Sequence, residues 1–392
     1  MYNFILPDYK GKSIVNLMSS IANNFGKKHK YKELDYLSSS ELKKFKNIVL
    51  IVVDGLGYNY LARHSDSFLF NNFKSSITST FLSTTACANT VFSVGYPAQQ
   101  HAITAWNVNL KEVGAIVTVL PFHTRYKSEC LTKYNFDINQ IMDIESFHKG
   151  FNAKCFTLID KKLADSSFTR YVSQGTNILP ISSYKNAFTK LRSLIKKRSK
   201  KRRFIHIYLP EFDSLTHKNG VKSKVVENLF FDLDKRVKKL VNAIKGTNTR
   251  IIIVSDHGLI DCPKKSRVWV ENIKGMKDCL TIPLTGESRV RNCYVRPSKV
   301  KDFEKIVKNK LSKYCWCFKG EKLIKDHLYG LGKPNKRLFD RIGDYVLIMK
   351  KNYALMDKLS NHQKSGSTPS LAKHGGVSSD EMLIPLILID SN

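Results

Sequence analysis

Among the side chains of this 392-residue sequence that can bind transition-metal ions through nitrogen and oxygen, six stand out by position: Asp54, Asp213, His217, Asp256, His257 and His374. Asp54 follows the apolar run Asn47 to Val53, and Asp256-His257-Gly258 follows the run Arg250 to Ser255. An Asp-Gly after a strand is also a common turn. Two metal-competent side chains in succession at a strand end, with glycine behind them, are harder to explain that way. Asp213 and His217 stand four apart, so a helical turn would aim both at one ion. Three carboxylates with three imidazoles suit two borderline-soft divalent cations, zinc first and manganese as the alternative. The hydroxyl run Ser83-Thr84-Thr85 leads into an apolar stretch that ends at Gly95, with Pro97 two residues on. That pattern predicts a helix starting near Thr85 and stopping at glycine. Hydroxyls there either cap the helix or meet an anion at the positive end of its dipole. Beside two cations about 4 Å apart, a hydroxyl favours displacement at phosphorus, because the metals stabilise attacking and leaving oxygens and lower the hydroxyl pKa. A covalent phosphothreonine resolved by water would split one difficult displacement into two.

Such a constellation needs a rigid frame. Asn47 to Val53 reads as a continuous apolar strand buried on both faces, as in a parallel sheet, and Arg203 to Leu209 and Arg250 to Ser255 read as buried strands of the same type. Open α/β sheets bind ligands at the C-terminal ends of such strands, where Asp54 and Asp256-His257 stand. Gly55 and Gly57 allow the chain to turn closely around Asp54. Amphipathic helices are expected at Ser13 to Phe25, at Ser183 to Lys197, and from Lys224 to about Lys245 with Val225, Leu229, Leu233, Val237, Leu240, Val241 and Ile244 inward. Lys154 to Ile159 and Ala115 to Leu120 read as strands. From Cys262 to Asp340 the character is basic and mixed, with strands at Asn292 to Val295 and Cys315 to Phe318 and a helix at Lys299 to Leu311. The core is expected to resume at Gly343 to Met349 and to close with the apolar run ending at Ile389.

Lys and Arg number 65 against 33 Asp and Glu, a formal charge of +32 that attracts polyanions. No nucleic-acid-binding module is recognisable, so specific nucleic-acid binding is not expected, and the run Lys196 to Arg203 reads as a solvated helix end. The eight cysteines are scattered and match neither a zinc motif nor a disulfide framework, which points to a reducing compartment. The first residues show no secretory pattern and no window suits a membrane span, so a cytoplasmic protein is expected.

The ordered set Asp54, Thr85, Asp213-x-x-x-His217, Asp256-His257 and His374 resembles the alkaline phosphatase superfamily, and within it the type I phosphodiesterase/nucleotide pyrophosphatase family, especially its compact bacterial members. The resemblance is carried by V-V-D-G at Val52, S-T-T-A at Ser83, V-G-Y-P-A-Q-Q-H at Val94, E-F-D-S-L-T-H-K-N-G ending at Gly220, S-D-H-G at Ser255 and H-G-G-V at His374. It implies an α/β fold, an alkaline-phosphatase-like sandwich with a mostly parallel central sheet flanked by helices. Residues 1–261 and 341–392 would form the catalytic core and 262–340 an inserted α/β cap-like subdomain. Thr85 is then the nucleophile. Asp54, Asp256 and His257 would hold one metal with it, and Asp213, His217 and His374 the other. The eukaryotic members place an asparagine shortly after the nucleophile to hold a phosphate oxygen. Here Ala88 has that offset and Asn89, next along, is the candidate. His101 is followed by Ala102 where glycine is usual. The expected activity is hydrolysis of a phosphodiester or pyrophosphate bond in a small nucleotide. The same metals would equally serve a phosphomonoesterase, a phosphonate hydrolase or a phosphoalcohol transferase. A non-catalytic polyanion-binding protein on this fold is the alternative of another class.

Overall fold

The computed structural model describes residues 4–358 and 370–391. Its centre is a seven-stranded sheet in the spatial order Phe73–Thr78, Leu383–Ser391, Thr249–Val254, Asn47–Val53, Arg203–Leu209, Lys154–Asp160 and Asn177–Ile181. Six strands run one way; Leu383–Ser391 runs antiparallel to both its neighbours. In Asn47–Val53 every residue is buried and successive side chains enter opposite layers. Ile48, Leu50 and Val52 join one core with Ile14, Leu17 and Phe92; Val49, Ile51 and Val53 join another with Leu191, Leu233 and Val237. Period-two alternation thus makes one apolar strand the seam of a helix–sheet–helix sandwich. Ile14–Asn24 and Thr85–Val94 cover one face, and Tyr184–Lys196 and Lys224–Ala243 the other.

A second seven-stranded sheet, antiparallel throughout, runs in the order Cys315–Lys319, Tyr345–Met349, Val290–Cys293, Thr285–Gly286, Asn107–Leu110, Ala115–Thr118 and His123–Thr124. It corrects one expectation: Tyr345–Met349 does not rejoin the central sheet but pairs with Val290–Cys293 and Cys315–Lys319. All five of its residues are buried, so its apolar pattern matches that of a parallel strand while its partners do not. Strands inside 262–340 therefore share this sheet with Asn107–Leu110 and its hairpin. The helix Thr85–Val94 is wedged between the two layers, with Ala86, Cys87 and Val94 in the second sheet's core and Ala88, Val91 and Phe92 in the first.

Two central strands gave no signal in the sequence. Phe73–Thr78 and Asn177–Ile181 are the sheet's edges, half-exposed, and the latter carries Pro180, which an edge tolerates because one side needs no ladder donor. Among the described residues no helix is long and apolar enough to cross a membrane.

Lys224–Ala243 separates two residues that the sequence pattern treats alike: Leu233 is 1% exposed and Val225 51%. Leu233→Ala should cost about 2–5 kcal/mol in urea unfolding, and Val225→Ala no more than about 0.5 kcal/mol. Equal losses would mean that the helix is rotated from the orientation described.

Candidate metal centre

Every strand that feeds the site ends at the same edge of the central sheet. Asp54 follows Asn47–Val53; its N–H donates to Leu209 O at 3.0 Å, so the strand's pairing extends to the carboxylate. The Tyr208 hydroxyl donates to Asp54 Oδ2. Gly55 then turns at φ 80°, and a Cβ on it would lie 2.5 Å from Leu259 Cδ1 and 3.0 Å from Asp213 Cβ, so only glycine fits. Gly55 N–H donates to Asp256 Oδ1 at 3.1 Å, lacing the two strand-end loops together. Asp256 and His257 follow Thr249–Val254 and are wholly buried. Behind them Gly258 meets Gly57: a Cβ on Gly258 would stand 2.8 Å from Gly57 Cα.

Arg203–Leu209 leads into the helix Glu211–Asn219, whose i,i+4 geometry sets His217 Nε2 3.3 Å from Asp213 Oδ1. His217 Nδ1 lies 2.7 Å from Ala372 O, in the short strand Ala372–Lys373 that pairs with Ile260–Asp261. That pairing delivers His374, whose ring stacks on His257 at 3.9 Å between centroids and lies 5.1 Å from His217. Thr84 occupies the N-cap position of the helix Thr85–Val94 without a side-chain capping hydrogen bond, and the helix ends at Gly95 with φ 83°, as its sequence predicts. Thr85 is its first residue, and Thr85 Oγ1 lies 3.1 Å from His257 Nε2.

Ligand atoms of Asp54, Asp256 and His257 lie within 4.8 Å of one another, and so do those of Asp213, His257 and His374. His217 adjoins the second group through Asp213, and Thr85 the first through His257. Asn89 sits one turn beyond Thr85 on the same helix, half-buried and with no hydrogen bond of its side chain among the described residues. Two polar partners gave no signal in the sequence, Tyr208 and Glu287, whose Oε1 accepts from Thr84 Oγ1 at 2.7 Å; Ser83, of the hydroxyl run, donates to Gly376 O at 2.7 Å. The sole clue was a tyrosine near the end of an otherwise apolar strand.

The donors fit divalent cations. A carbonyl can only accept, so His257 Nδ1, 3.1 Å from Gly258 O, and His217 Nδ1, facing Ala372 O, carry the protons. Each Nε2 then points a lone pair at carboxylates: His257 toward Asp54 Oδ1 and Asp256 Oδ2, both at 3.5 Å, and His217 toward Asp213. Asp54 Oδ1, Asp213 Oδ1, Asp256 Oδ2 and His374 Nδ1 are buried without a hydrogen-bond partner among the described residues. Burial, then the charges of Asp256 and Asp213, push the Asp54 carboxyl well above the usual range, and burial raises Asp213 as well. Burial followed by His257 and His217 holds His374 well below an ordinary imidazole. Acceptors gathered against acceptors repel one another, and a cation among them reverses the sign.

The profile of the type I phosphodiesterase/nucleotide pyrophosphatase family matches residues 48–376. No curated protein gives a significant sequence match. Murine ectonucleotide pyrophosphatase/phosphodiesterase 5 shares the fold at 16% identity and TM-score 0.63, over 86% of this chain and 87% of that one. An inactive threonine-to-alanine form of that murine protein, in complex with AMP, gives 17% identity and TM-score 0.61 over 86% and 87%. Phosphonoacetate hydrolase from Sinorhizobium meliloti 1021, in complex with phosphonoformate, gives 16% identity and TM-score 0.65, over 87% and 89%. The two-layer α/β architecture is thus that of the alkaline phosphatase superfamily.

Cations that bind the folded site stabilise it by mass action. Stripping the protein with a chelator should lower its melting temperature by several degrees, and Zn²⁺ or Mn²⁺ at about 100 times its dissociation constant should restore about 2.7 kcal/mol. A melting curve indifferent to both treatments would remove the metal centre.

Proposed function

The chain belongs to the type I phosphodiesterase/nucleotide pyrophosphatase family, and from that premise we propose that it hydrolyses phosphodiester or pyrophosphate bonds in nucleotides, with two divalent cations and a covalent intermediate on Thr85. The observation that carries this reading is the Thr85 hydroxyl at the start of a ten-residue helix, 3.1 Å from His257 Nε2, which faces Asp54 Oδ1 and Asp256 Oδ2, two buried carboxylate oxygens without a hydrogen-bond partner among the described residues.

Asp54, Asp256 and His257 would hold one cation with Thr85, and Asp213, His217 and His374 the other; zinc suits this mixed nitrogen and oxygen set and manganese is the alternative. When bound, such a pair supplies charge neutralisation for the attacking and leaving oxygens of an in-line displacement and makes the hydroxyl more acidic. Thr85 Oγ forms a bond to phosphorus as the bond to the leaving oxygen breaks. Its proton is released and the leaving group takes one from solvent. Water then cleaves the phosphothreonine and restores the hydroxyl. The first free N–H groups of Thr85–Val94 face the phosphoryl oxygens. Asn89, a turn further on, takes one of them.

Nucleotides are the first substrates to test because the murine relative was captured with AMP. Loss of activity in its threonine-to-alanine form favours a threonine nucleophile here. The charge of +32 would steer anionic substrates inward. Residues 262–340, the cap-like part, bring Glu287 against Thr84, next to the proposed nucleophile. Eight cysteines without a disulfide fit the reducing cytoplasm. Phosphonate hydrolysis is the second reading, since the Sinorhizobium relative is a phosphonoacetate hydrolase.

Thr85→Ala, loaded with zinc, should lose all turnover of bis-p-nitrophenyl phosphate above background, with zinc still bound through the remaining ligands. Ordinary turnover by that variant would rule out the threonine intermediate. Turnover of phosphonoacetate in preference to dinucleotides by the unaltered protein would favour the second reading.

A further inference from the structure

Arg289 is among the largest side chains wholly removed from solvent, and it is paired with an equally buried glutamate. Arg289 Nε and Nη2 donate to Glu381 Oε1 and Oε2, each at 2.9 Å. A buried ion pair roughly breaks even against apolar side chains of the same volume, so stability alone does not account for it. What it does that apolar residues cannot is hold polar groups from two further stretches of chain, 351–353 and 376–378. Arg289 also donates to Lys351 O at 2.7 Å and to Tyr353 O. Glu381 accepts from Gly376 N at 2.8 Å and from Ser378 Oγ at 2.6 Å. Its own carbonyl accepts from Gly258 N at 2.9 Å, next to His257. A Cβ on Gly376 would lie 2.6 Å from Glu381 Oε2, so the carboxylate occupies the space that a side chain would fill. Burial would raise the Glu381 carboxyl, but Arg289 and the other donors override it and keep it ionised.

From this pair two links reach the nucleophile. Gly376, two residues from His374, accepts from Ser83 Oγ at 2.7 Å. Glu287, two residues before Arg289 in the same tight turn, accepts from Thr84 Oγ1 at 2.7 Å and Trp106 N at 2.9 Å. The side chains of the two residues before Thr85 therefore donate to Gly376 O and Glu287 Oε1, groups that adjoin the two members of one ion pair. The turn and the loop also touch directly: Gly375 has φ 106°, and a Cβ there would lie 2.8 Å from Glu287 Cβ.

We propose that Arg289 and Glu381 are positioning residues of the active site, a buried clamp that fixes the His374 ligand loop and the Ser83-Thr84-Thr85 segment in one register. This rests on the function proposed above, because it assigns roles relative to His374 as ligand and Thr85 as nucleophile. Neither clamp residue touches substrate. Orienting residues behind metal ligands typically contribute about 10- to 100-fold to metal affinity or activity.

The test uses the full chain with both charges removed together, Arg289→Met with Glu381→Leu, since removing one would strand the other. Zinc affinity by competition with a chromogenic chelator, circular dichroism, and kcat and KM on bis-p-nitrophenyl phosphate are compared with the unaltered protein. The expected result is a folded protein whose weaker zinc ion binds about 10- to 100-fold less tightly and whose kcat falls by a similar factor. A folded double variant with unchanged zinc affinity and unchanged kcat would overturn the clamp. If the double variant does not fold, Ser83→Ala decides, because it cuts one tether and leaves the ion pair intact. It should lower kcat about 10-fold with zinc affinity retained, and an unchanged kcat would overturn the link to the nucleophile. Failure of the unaltered protein to bind zinc would instead count against the proposed function itself.

Discussion

The structure is governed by electrostatic repulsion that its own atoms do not resolve. Three carboxylates and three imidazoles converge where water is largely excluded, and the two hydrogen-bonded imidazoles aim lone pairs at carboxylate oxygens. Leaving such groups unpaired costs several kcal/mol each. Hydrogen bonds elsewhere fix their orientation: Tyr208 on Asp54, Gly55 on Asp256, and backbone carbonyls on His257 and His217. The chain thus holds acceptors against one another, and divalent charge is what makes that arrangement favourable.

The central sheet makes the convergence possible. Parallel strands that share a buried seam end at one edge, so residues two hundred positions apart emerge as neighbours there. Close approach then needs glycine at the crossings, where Gly55 passes Asp213 and Gly57 passes Gly258. Thr85, the proposed nucleophile, arrives from a different direction, on a helix gripped between two cores. Its register relative to the sheet is set by polar tethers from the second layer as well as by packing.

Legibility in the sequence followed the range of the signal. Asp54 and Asp256-His257 stood out because each follows an apolar strand, and the run Ser83-Thr84-Thr85 because it opens a helix that a glycine closes; the choice of Thr85 within that run came from the motif resemblance. Asp213 and His217 carried a weaker local signal, and His374 stood out through the motif resemblance and as an imidazole beside two glycines. The second sheet could not be read: its strands are short and come from both sides of residues 125–284, and nothing local in Tyr345–Met349 says which sheet it joins. Glu287, Arg289 and Glu381 look like solvated turn residues in the sequence. The burial of Arg289 and Glu381, and the half-burial of Glu287, depend on contacts that only the fold creates.

The relation between the two layers gives the site its asymmetry. Asp54, Asp213, His217, Asp256 and His257 belong to the central sheet and the helix after it, while the hydroxyl segment and the His374 loop are also held by the antiparallel layer. The claim on which everything else depends is that two cations lie among these groups. Anomalous diffraction at the zinc edge, from crystals grown with zinc, tests it most directly. Two peaks about 3.5–4 Å apart are expected, one among Asp54, Asp256, His257 and Thr85 and the other among Asp213, His217 and His374. Zinc bound only elsewhere on the protein, with no peak among these side chains, would contradict the account.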